Sequence, residues 1–293
     1  MHPQGQGTPP TVAQTLQLAV SRLDQALDNS SPRLDAEVLL AHVQNWTRTE
    51  LHCRITDPLP ESQLQEFLRL LDERVRGVPV AYLVGYKEFY SRRFWVRPGV
   101  LVPRPETELL VERALGELRK TPGPTRILDL CCGSGCIAVT LCLETLGTTA
   151  IASDISVEAL EQTRENIQFF GVEERVRAVE SDLFSALSKE AFDLIVSNPP
   201  YVGTEYGPAA NANVAAHEPA LALYSGSDGM NHLKQIVERA PAYLIEGGSL
   251  VLECASFQAE RVEAWMDEKG FNQTCLWHDL SGLPRGVAGR WEG

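Results

Sequence analysis

The feature that most constrains the fold is a series of short apolar strands that alternates with amphipathic helices from residue 126 onward. Strands are predicted at 126–130, 149–154, 176–180, 192–197, 249–253, 272–276 and 286–291. Helices are predicted between them at 136–146, 157–170, 231–243 and 258–269. This alternation predicts an α/β fold in which helices cover a parallel sheet, because parallel strands need a crossover connection.

The first 76 residues predict helices only. Apolar residues recur at helical spacing from Val12, Ser31 and Pro32 suit the start of a second helix, and an apolar stripe follows Pro60 and ends at Gly77. Aromatic and β-branched residues after that point favour a β-hairpin. We predict a small all-α helical bundle at 1–76, a hairpin linker at 77–105 and an α/β domain at 106–293. The pattern leaves open whether the bundle is an interaction module or a lid.

The chain is acidic, with 26 Lys and Arg against 39 Asp and Glu, or 26 − 39 = −13. Proteins that bind a phosphate backbone need clustered Lys and Arg, so nucleic acid is a poor candidate partner. No apolar run reaches the roughly 18 residues that span a bilayer, and the N-terminus lacks a signal-peptide pattern. The seven cysteines include no CxxC pair. We therefore expect a cytoplasmic protein with reduced thiols, no bound metal and no membrane partner.

A glycine loop follows the first strand of the predicted sheet and opens a helix. Its sequence is Asp129-Leu130-Cys131-Cys132-Gly133-Ser134-Gly135. Such glycines let the backbone approach a ligand at a helix N-terminus. The spacing also fits a dinucleotide fingerprint, with Asp154 where a ribose-binding acid belongs. The carboxylate of Asp129 favours a different ligand, because it would repel a pyrophosphate but neutralise an ammonium. S-adenosylmethionine carries both an ammonium and a ribose diol.

Asn198, Pro199, Pro200 and Tyr201 follow the apolar strand predicted at 192–197. Ligands of open α/β sheets bind at the carboxyl ends of strands, so these residues should face the cleft. The Asn198 side-chain oxygen and the Pro199 carbonyl can hold the hydrogens of a planar nitrogen and direct its lone pair toward a methyl sulfonium. The prolines stiffen the loop and Tyr201 offers a flat face. The alternative interpretation is a rigid turn without chemistry.

Asp182 follows the third predicted strand, in the sequence Ser181-Asp182-Leu183-Phe184. Its carboxylate could accept a hydrogen bond from an adenine amino group. An Asp after a strand is also common as a helix cap. The residue gains a binding role only in combination with the glycine loop and the Asn198 motif.

Several longer segments carry a resemblance to a known family. They are Leu34-Asp35-Ala36-Glu37-Val38-Leu39-Leu40-Ala41-His42, Arg76-Gly77-Val78-Pro79-Val80-Ala81-Tyr82, Pro103-Arg104-Pro105-Glu106-Thr107-Glu108, Asn198-Pro199-Pro200-Tyr201-Val202, His217-Glu218-Pro219-Ala220-Leu221 and Arg285-Gly286-Val287-Ala288-Gly289-Arg290. With these segments the chain resembles the protein-(glutamine-N5) methyltransferases of the HemK/PrmC group, which modify class-1 peptide chain release factors. The resemblance covers nearly the whole chain, and the segment that begins at Pro103 is the most specific.

The resemblance implies a seven-stranded class I, Rossmann-like methyltransferase domain that uses S-adenosylmethionine, preceded by a helical domain that engages the release factor. It implies cofactor contacts from Asp129, Cys131, Cys132, Gly133, Ser134, Gly135, Asp154, Asp182, Leu183 and Asn198. It also implies a glutamine held by Asn198, Pro199, Pro200 and Tyr201, and a segment with Leu101 and Arg104 that closes over it. Three departures are Cys131, where a glycine is common, Cys254-Ala255, where Ile-Gly is commoner, and Leu183, where some relatives carry an aromatic.

Three alternative functions stay open at this point. A sister group methylates a glutamine in a large-subunit ribosomal protein, although the Pro105-Glu106-Thr107-Glu108 sequence favours release factors. Nucleic-acid amino-methyltransferases use the same Asn-Pro-Pro-Tyr chemistry on a base, but the net charge of −13 argues against them. A non-enzymatic adaptor built from the helical bundle is the third alternative.

Overall fold

The structure, a computed structural model, describes residues 9–27, 31–188, 191–206 and 216–293. The chain divides into two compact units, Met1–Gly85 and Tyr86–Gly293. The first unit extends past residue 76, where the sequence predicts the end of the helical bundle, and the second unit contains the hairpin. The assignment of three functional parts to 1–76, 77–105 and 106–293 stays a prediction, because compactness does not reveal what each part does.

The described residues of the first unit form five helices: α1 (Val12–Ala26), α2 (Pro32–Gln44), α3 (Arg48–Cys53), α4 (Glu61–Val75) and α5 (Val80–Val84). Thr11 and Thr47 close capping boxes at the starts of α1 and α3. Ser31 occupies the N-cap position of α2, but its side chain makes no capping hydrogen bond there. Leu16, Leu39 and Phe67 are buried, so the helices pack around an apolar core.

The second unit begins with a hairpin, β1 (Tyr86–Phe89) and β2 (Arg92–Trp95). Tyr90 and Ser91 at its turn both have positive φ, as a tight two-residue hairpin turn requires. The following seven strands are β3 (Arg126–Leu130), β4 (Thr149–Asp154), β5 (Val176–Glu180), β6 (Phe192–Ser197), β7 (Leu244–Glu253), β8 (Phe271–His278) and β9 (Pro284–Trp291). They form one seven-stranded sheet, which confirms the predicted α/β fold.

The strand order is β5-β4-β3-β6-β7-β9-β8, and only β9 runs antiparallel to its neighbours β7 and β8. The chain passes outward from β3 to β5 and then returns to place β6 on the other side of β3. This reversal creates a switch point, where open α/β sheets bind ligands. The Ser197 hydroxyl donates to the Leu130 carbonyl at 2.7 Å and joins the carboxyl ends of β6 and β3.

Helices cover both faces of the sheet. The covering helices are α6 (Thr107–Leu118), α7 (Cys136–Glu144), α8 (Val157–Phe170), α10 (Asn231–Arg239) and α11 (Ala259–Lys269), and the short helix α9 (Ala220–Leu223) has no buried residue. One apolar core joins α6, α7 and α8 to one face of the sheet, and a second core joins α10 and α11 to the other face. Within the described ranges, no helix has both the length and the apolar character needed to cross a membrane.

Several element boundaries differ from the sequence prediction, and two of the differences involve a proline or a glycine. The predicted helix at 231–243 is α-helical only as far as Arg239 and continues as a 3₁₀ turn, Ala240–Tyr243, because Pro241 near its start lacks a backbone donor. Strand β7 begins at Leu244 rather than at 249. Gly247 has φ of 80°, and the register against β6 shifts between Phe192 and Leu194. The glycines therefore accommodate an irregularity inside the strand instead of ending it.

Candidate active site

A cleft opens at the carboxyl ends of β3, β4 and β6. The candidate residues that line it are Leu101, Cys131, Gly133, Asp154, Asp182, Leu183, Asn198 and Pro200. The other candidates lie outside the described cleft wall: Arg104, Asp129, Cys132, Ser134, Gly135, Pro199 and Tyr201. The fold thus brings the glycine loop and the Asn198 motif together at one cleft. Some residues of each motif line the cleft, and the others lie outside its wall.

The backbone of the glycine loop is left-handed at three positions, with φ of 59° at Cys131, 57° at Gly133 and 76° at Gly135. A Cβ added at Gly135 would lie 2.8 Å from Cγ2 of Thr163, whereas nothing lies within 4 Å of one added at Gly133. Gly135 is therefore required by both conformation and space. Cys131 adopts a conformation that costs an L-residue about 1 kcal/mol or more, and burial raises the pKa of its thiol, which keeps the group protonated.

Side chains of α8 hold the glycine loop in place. The Thr163 hydroxyl donates to the Gly133 carbonyl at 2.9 Å, and the Asn166 amide donates to the Ser134 carbonyl at 2.9 Å. Sequence reasoning missed both residues. The available signal was that Thr163 and Asn166 are polar residues on the buried face of an otherwise amphipathic helix.

Asp154 connects the loop to α8. Its two carboxylate oxygens accept from the backbone N–H groups of Gly133 and Ser156, each at 2.9 Å. Burial raises the pKa of Asp154, and these backbone hydrogen bonds act in the opposite direction. The carboxylate therefore shapes the cleft wall as well as lining it.

Asp129 lies beneath the glycine loop and is fully buried. Oδ2 accepts from the Ala138 N–H at 3.1 Å, while Oδ1 has no hydrogen-bond partner among the described residues. Burial raises the pKa of Asp129 to about 8, and the charge of Asp154 adds to the effect. Such a carboxylate favours a nearby cation. In the part of the chain that the structure describes, no group of three or more His, Cys, Asp or Glu side chains has the arrangement of a metal site.

Asn198 and Tyr201 are connected to residues that sequence reasoning missed. The Asn198 amide donates to the Thr107 hydroxyl at 3.0 Å, and the Tyr201 hydroxyl donates to Oε1 of Glu253 at 3.2 Å. Burial raises the pKa of Glu253 to about 7, although Thr107 and Tyr201 act to lower it. Oε2 of Glu253 has no hydrogen-bond partner among the described residues. The only sequence signal was the position of Glu253 at the carboxyl end of a predicted strand.

The segment at 101–104 is held by Glu218. Its carboxylate accepts from the Val102 N–H at 3.1 Å and pairs with the Arg104 guanidinium. Burial raises the pKa of Glu218, and the charge of Arg104 opposes that shift. Leu101 contributes to the cleft wall directly, whereas Arg104 acts on the segment through Glu218.

The far end of the cleft contains Asp182, Leu183 and His232. Asp182 lies in a bend and residues 183–186 form turns, so Asp182 does not cap a helix. Leu183 has φ of 48°, a second strained position in the wall. His232 was not predicted, and it brings a flat ring to this wall. Burial lowers the pKa of His232, and the Ser225 hydroxyl bonds its Nδ1 at 2.7 Å.

Comparison with known domain families gives two matches. Residues 14–85 match the PrmC N-terminal domain, and residues 105–217 match the methyltransferase small domain. Among solved structures, a 16S rRNA N2 G1207 methyltransferase of T. thermophilus, in complex with AdoMet and guanosine, aligns with a TM-score of 0.53 at 19% identity over 71% of this chain and 50% of its own. A methyltransferase of Pyrococcus furiosus gives 0.51 at 17% identity over 71% and 92%. These two structures support the fold.

Proteins found by sequence comparison have higher identity to this chain than these two structures. A release factor glutamine methyltransferase of Neisseria gonorrhoeae is 39% identical over 89% of this chain and 94% of its own length. Its counterpart from Salmonella typhimurium is 38% identical over 92% and 96%. A bifunctional methyltransferase of Rickettsia felis is 34% identical over 94% of this chain, which spans 57% of that longer protein. The chain belongs to the release factor glutamine methyltransferase family.

Proposed function

We propose that this chain transfers a methyl group from S-adenosylmethionine to the side-chain amide nitrogen, N5, of the glutamine in the Gly-Gly-Gln loop of class-1 peptide chain release factors. The observation that carries the proposal is the position of Asn198 in the wall of the same cleft as Gly133 and Asp154. A planar-nitrogen motif and a glycine loop at one switch point suit methyl transfer to an amide. The reaction would take place in the cytoplasm.

The residues of the cleft fit S-adenosylmethionine. Behind the cleft wall, Oδ1 of Asp129 is a buried acceptor without a partner among the described residues, in keeping with a cationic group nearby. Each Asp154 oxygen accepts a hydrogen bond from one backbone N–H and retains acceptor capacity for a ribose diol. Asp182 and His232 offer polar groups for the base. When bound, the cofactor supplies an electrophilic methyl group on a sulfonium.

The substrate nitrogen needs help because the lone pair of an amide is delocalised into its carbonyl. Two acceptors, the Asn198 side-chain oxygen and the Pro199 carbonyl, would hold the two N–H hydrogens and turn the lone pair toward the methyl group. The Asn198 amide N–H₂ already donates to Thr107, so its oxygen is the end left for the substrate. The transfer makes the nitrogen acidic, and solvent then takes its proton.

The helical unit, Met1–Gly85, is the part we assign to recognition of the release factor. It matches the PrmC N-terminal domain and is a folded unit distinct from the methyltransferase sheet. The net charge of −13 disfavours a nucleic-acid substrate. A large-subunit ribosomal protein is the substrate to compare side by side.

The test combines purified protein, labelled S-adenosylmethionine and a class-1 release factor. We expect one methyl per release factor, recovered on the peptide that contains the Gly-Gly-Gln loop and absent after Gln→Ala in that loop. Parallel reactions contain the ribosomal protein or DNA and RNA. Label on either of those in preference to the release factor would refute the proposal.

A further inference from the structure

The orientation of the Asn198 side chain decides whether the site can work. An amide presents an oxygen on one side and an N–H₂ group on the other, and the two differ little in size. Only the oxygen can accept a hydrogen from a substrate amide. A rotated Asn198 would direct a donor at another donor, so some other group must fix the side chain.

Thr107 is the group in contact with Asn198. Its Oγ1 lies 3.0 Å from the Asn198 nitrogen and accepts a hydrogen bond from it. Thr107 is the first residue of α6 and is buried, with 3% of its surface exposed. A hydroxyl can also donate, however, so Thr107 alone would accept either orientation of the amide.

Glu253 removes this ambiguity. It is buried at the carboxyl end of β7, and its Oε2 has no hydrogen-bond partner among the described residues. The Thr107 hydroxyl is near enough to this carboxyl to lower its pKa. A carboxylate only accepts, so its unpartnered Oε2 is an acceptor available to the Thr107 hydroxyl, and a Thr107 that donates to it is left a pure acceptor toward Asn198. The same carboxylate accepts from the Tyr201 hydroxyl and fixes the opposite end of the motif.

We propose that Thr107 and Glu253 are positioning residues that hold the Asn198 amide with its oxygen toward the substrate glutamine. This inference rests on the proposed function. In this arrangement the hydrogen bonds would run in one direction, from the Asn198 N–H₂ to Thr107, as observed, and from the Thr107 O–H to Oε2 of Glu253. No atom is transferred along this path, and its effect is to keep the substrate nitrogen aligned.

The charge of Glu253 controls the direction of these hydrogen bonds. A protonated Glu253 could donate to Thr107, which would then donate to the Asn198 oxygen and reverse the amide. The charged or titratable groups that act on Glu253 are Tyr201, Glu106 and Arg285. Cys254 and Cys136 also lie near enough for their thiols to sense its charge. Burial outweighs the favourable contacts and raises the pKa of Glu253 to about 7.

The first experiment replaces Thr107 in the full chain. Thr107→Val keeps the shape but removes the hydroxyl, and we expect kcat to fall about 10- to 100-fold, as for a misplaced reacting group. Affinity for S-adenosylhomocysteine, measured by calorimetry, should stay within about twofold. Thr107→Ser should restore most of kcat. The control is Thr140→Val, a buried threonine of α7 whose hydroxyl has no partner among the described residues.

The second experiment uses Glu253→Gln and the pH dependence of kcat. Wild-type kcat should fall as the pH decreases through about 7, which gives the profile an acid limb. Glu253→Gln should have a low kcat at every pH and no such limb. The side-chain ¹⁵N resonance of Asn198, observed by NMR without substrate, should shift in Thr107→Val and Glu253→Gln and not in Thr140→Val.

The outcomes separate this inference from the proposed function. If wild-type protein methylates no release factor, the proposed function fails, and the NMR shifts still test the orientation of Asn198. If wild type is active and Thr107→Val keeps its kcat, the inference is wrong. The inference is also wrong if Thr107→Val is folded and slow and Thr107→Ser has an equally low kcat. An acid limb of the kcat profile that is unchanged in Glu253→Gln would overturn it as well.

Discussion

Replacement of Gly135 by alanine tests how tightly the glycine loop is packed. The left-handed backbone, with φ of 76°, costs an alanine about 1 kcal/mol. The new Cβ would also lie 2.8 Å from Cγ2 and 3.1 Å from Oγ1 of Thr163, an overpacking that typically costs about 1–3 kcal/mol. We therefore expect Gly135→Ala to lower the free energy of unfolding by about 2–4 kcal/mol.

The measurement is urea unfolding followed by circular dichroism, with Gly133→Ala as the matched control. Gly133 has φ of 57° and open space where a Cβ would lie, so it should lose only the conformational part, about 1 kcal/mol. Thr163→Ser removes Cγ2 but keeps the hydroxyl that bonds Gly133. In a double variant with Gly135→Ala, it should recover about 1 kcal/mol of the stability that Gly135→Ala loses. Equal losses in the two glycine variants, or no recovery in the double variant, would refute the packing argument.

Three further predictions concern the cleft and its supports. Arg104→Ala leaves the buried Glu218 carboxylate without its guanidinium and should lower the free energy of unfolding by about 2 kcal/mol. Asn198→Ala should lower kcat more than affinity for S-adenosylhomocysteine, whereas Asp154→Ala should do the reverse. Burial raises the pKa of Asp129 from 3.8 to about 8. Between these pH values the folded protein keeps the Asp129 proton, whereas the unfolded chain has released it. Stability should therefore decline as pH rises through that window, by up to about 1.4 kcal/mol per pH unit, and Asp129→Asn should flatten the decline.

Each of these predictions has a control or a contrary result. Arg69→Ala breaks an ion pair exposed to solvent and should change stability little, so an effect equal to that of Arg104→Ala would discount burial as the cause. Equal losses of cofactor affinity in Asn198→Ala and Asp154→Ala would show that the two roles are not separate. A pH dependence unchanged in Asp129→Asn would assign the decline to other groups, with Glu253 as the next candidate.

The sheet and the glycine loop could be predicted because their signals are local. Each strand is a short apolar run, and a strand, a glycine turn and a helix follow one another within about ten residues from Arg126. The start of β7 was predicted too late because Gly247 and Gly248 resemble a strand end in sequence, while in three dimensions they lie within the strand. Local patterns indicate that an element exists more reliably than where it begins.

The supports of the site could not be predicted because each contact joins distant parts of the chain. Thr107 and Glu253 are separated from Asn198 and Tyr201 by 91 and 52 residues. Periodicity locates a residue on a helix or strand, but it gives no distance between two elements. The role of Glu218 was likewise missed, since the sequence showed only part of a motif and not its contacts with the segment at 101–104.

The order in which the strands are connected also affects when the cleft forms during folding. Hydrogen bonds that build it span 67 residues from Ser197 to Leu130, 91 from Asn198 to Thr107 and 116 from Val102 to Glu218. Contacts this far apart must overcome loop-closure entropy, so they form after the local helices and hairpins. A nascent chain that stops before β6 contains the residues of the glycine loop but lacks Asn198, which we propose holds the glutamine. Methyl-transfer competence therefore arises late in synthesis, after β6 and the segment that contains Glu218 have been made.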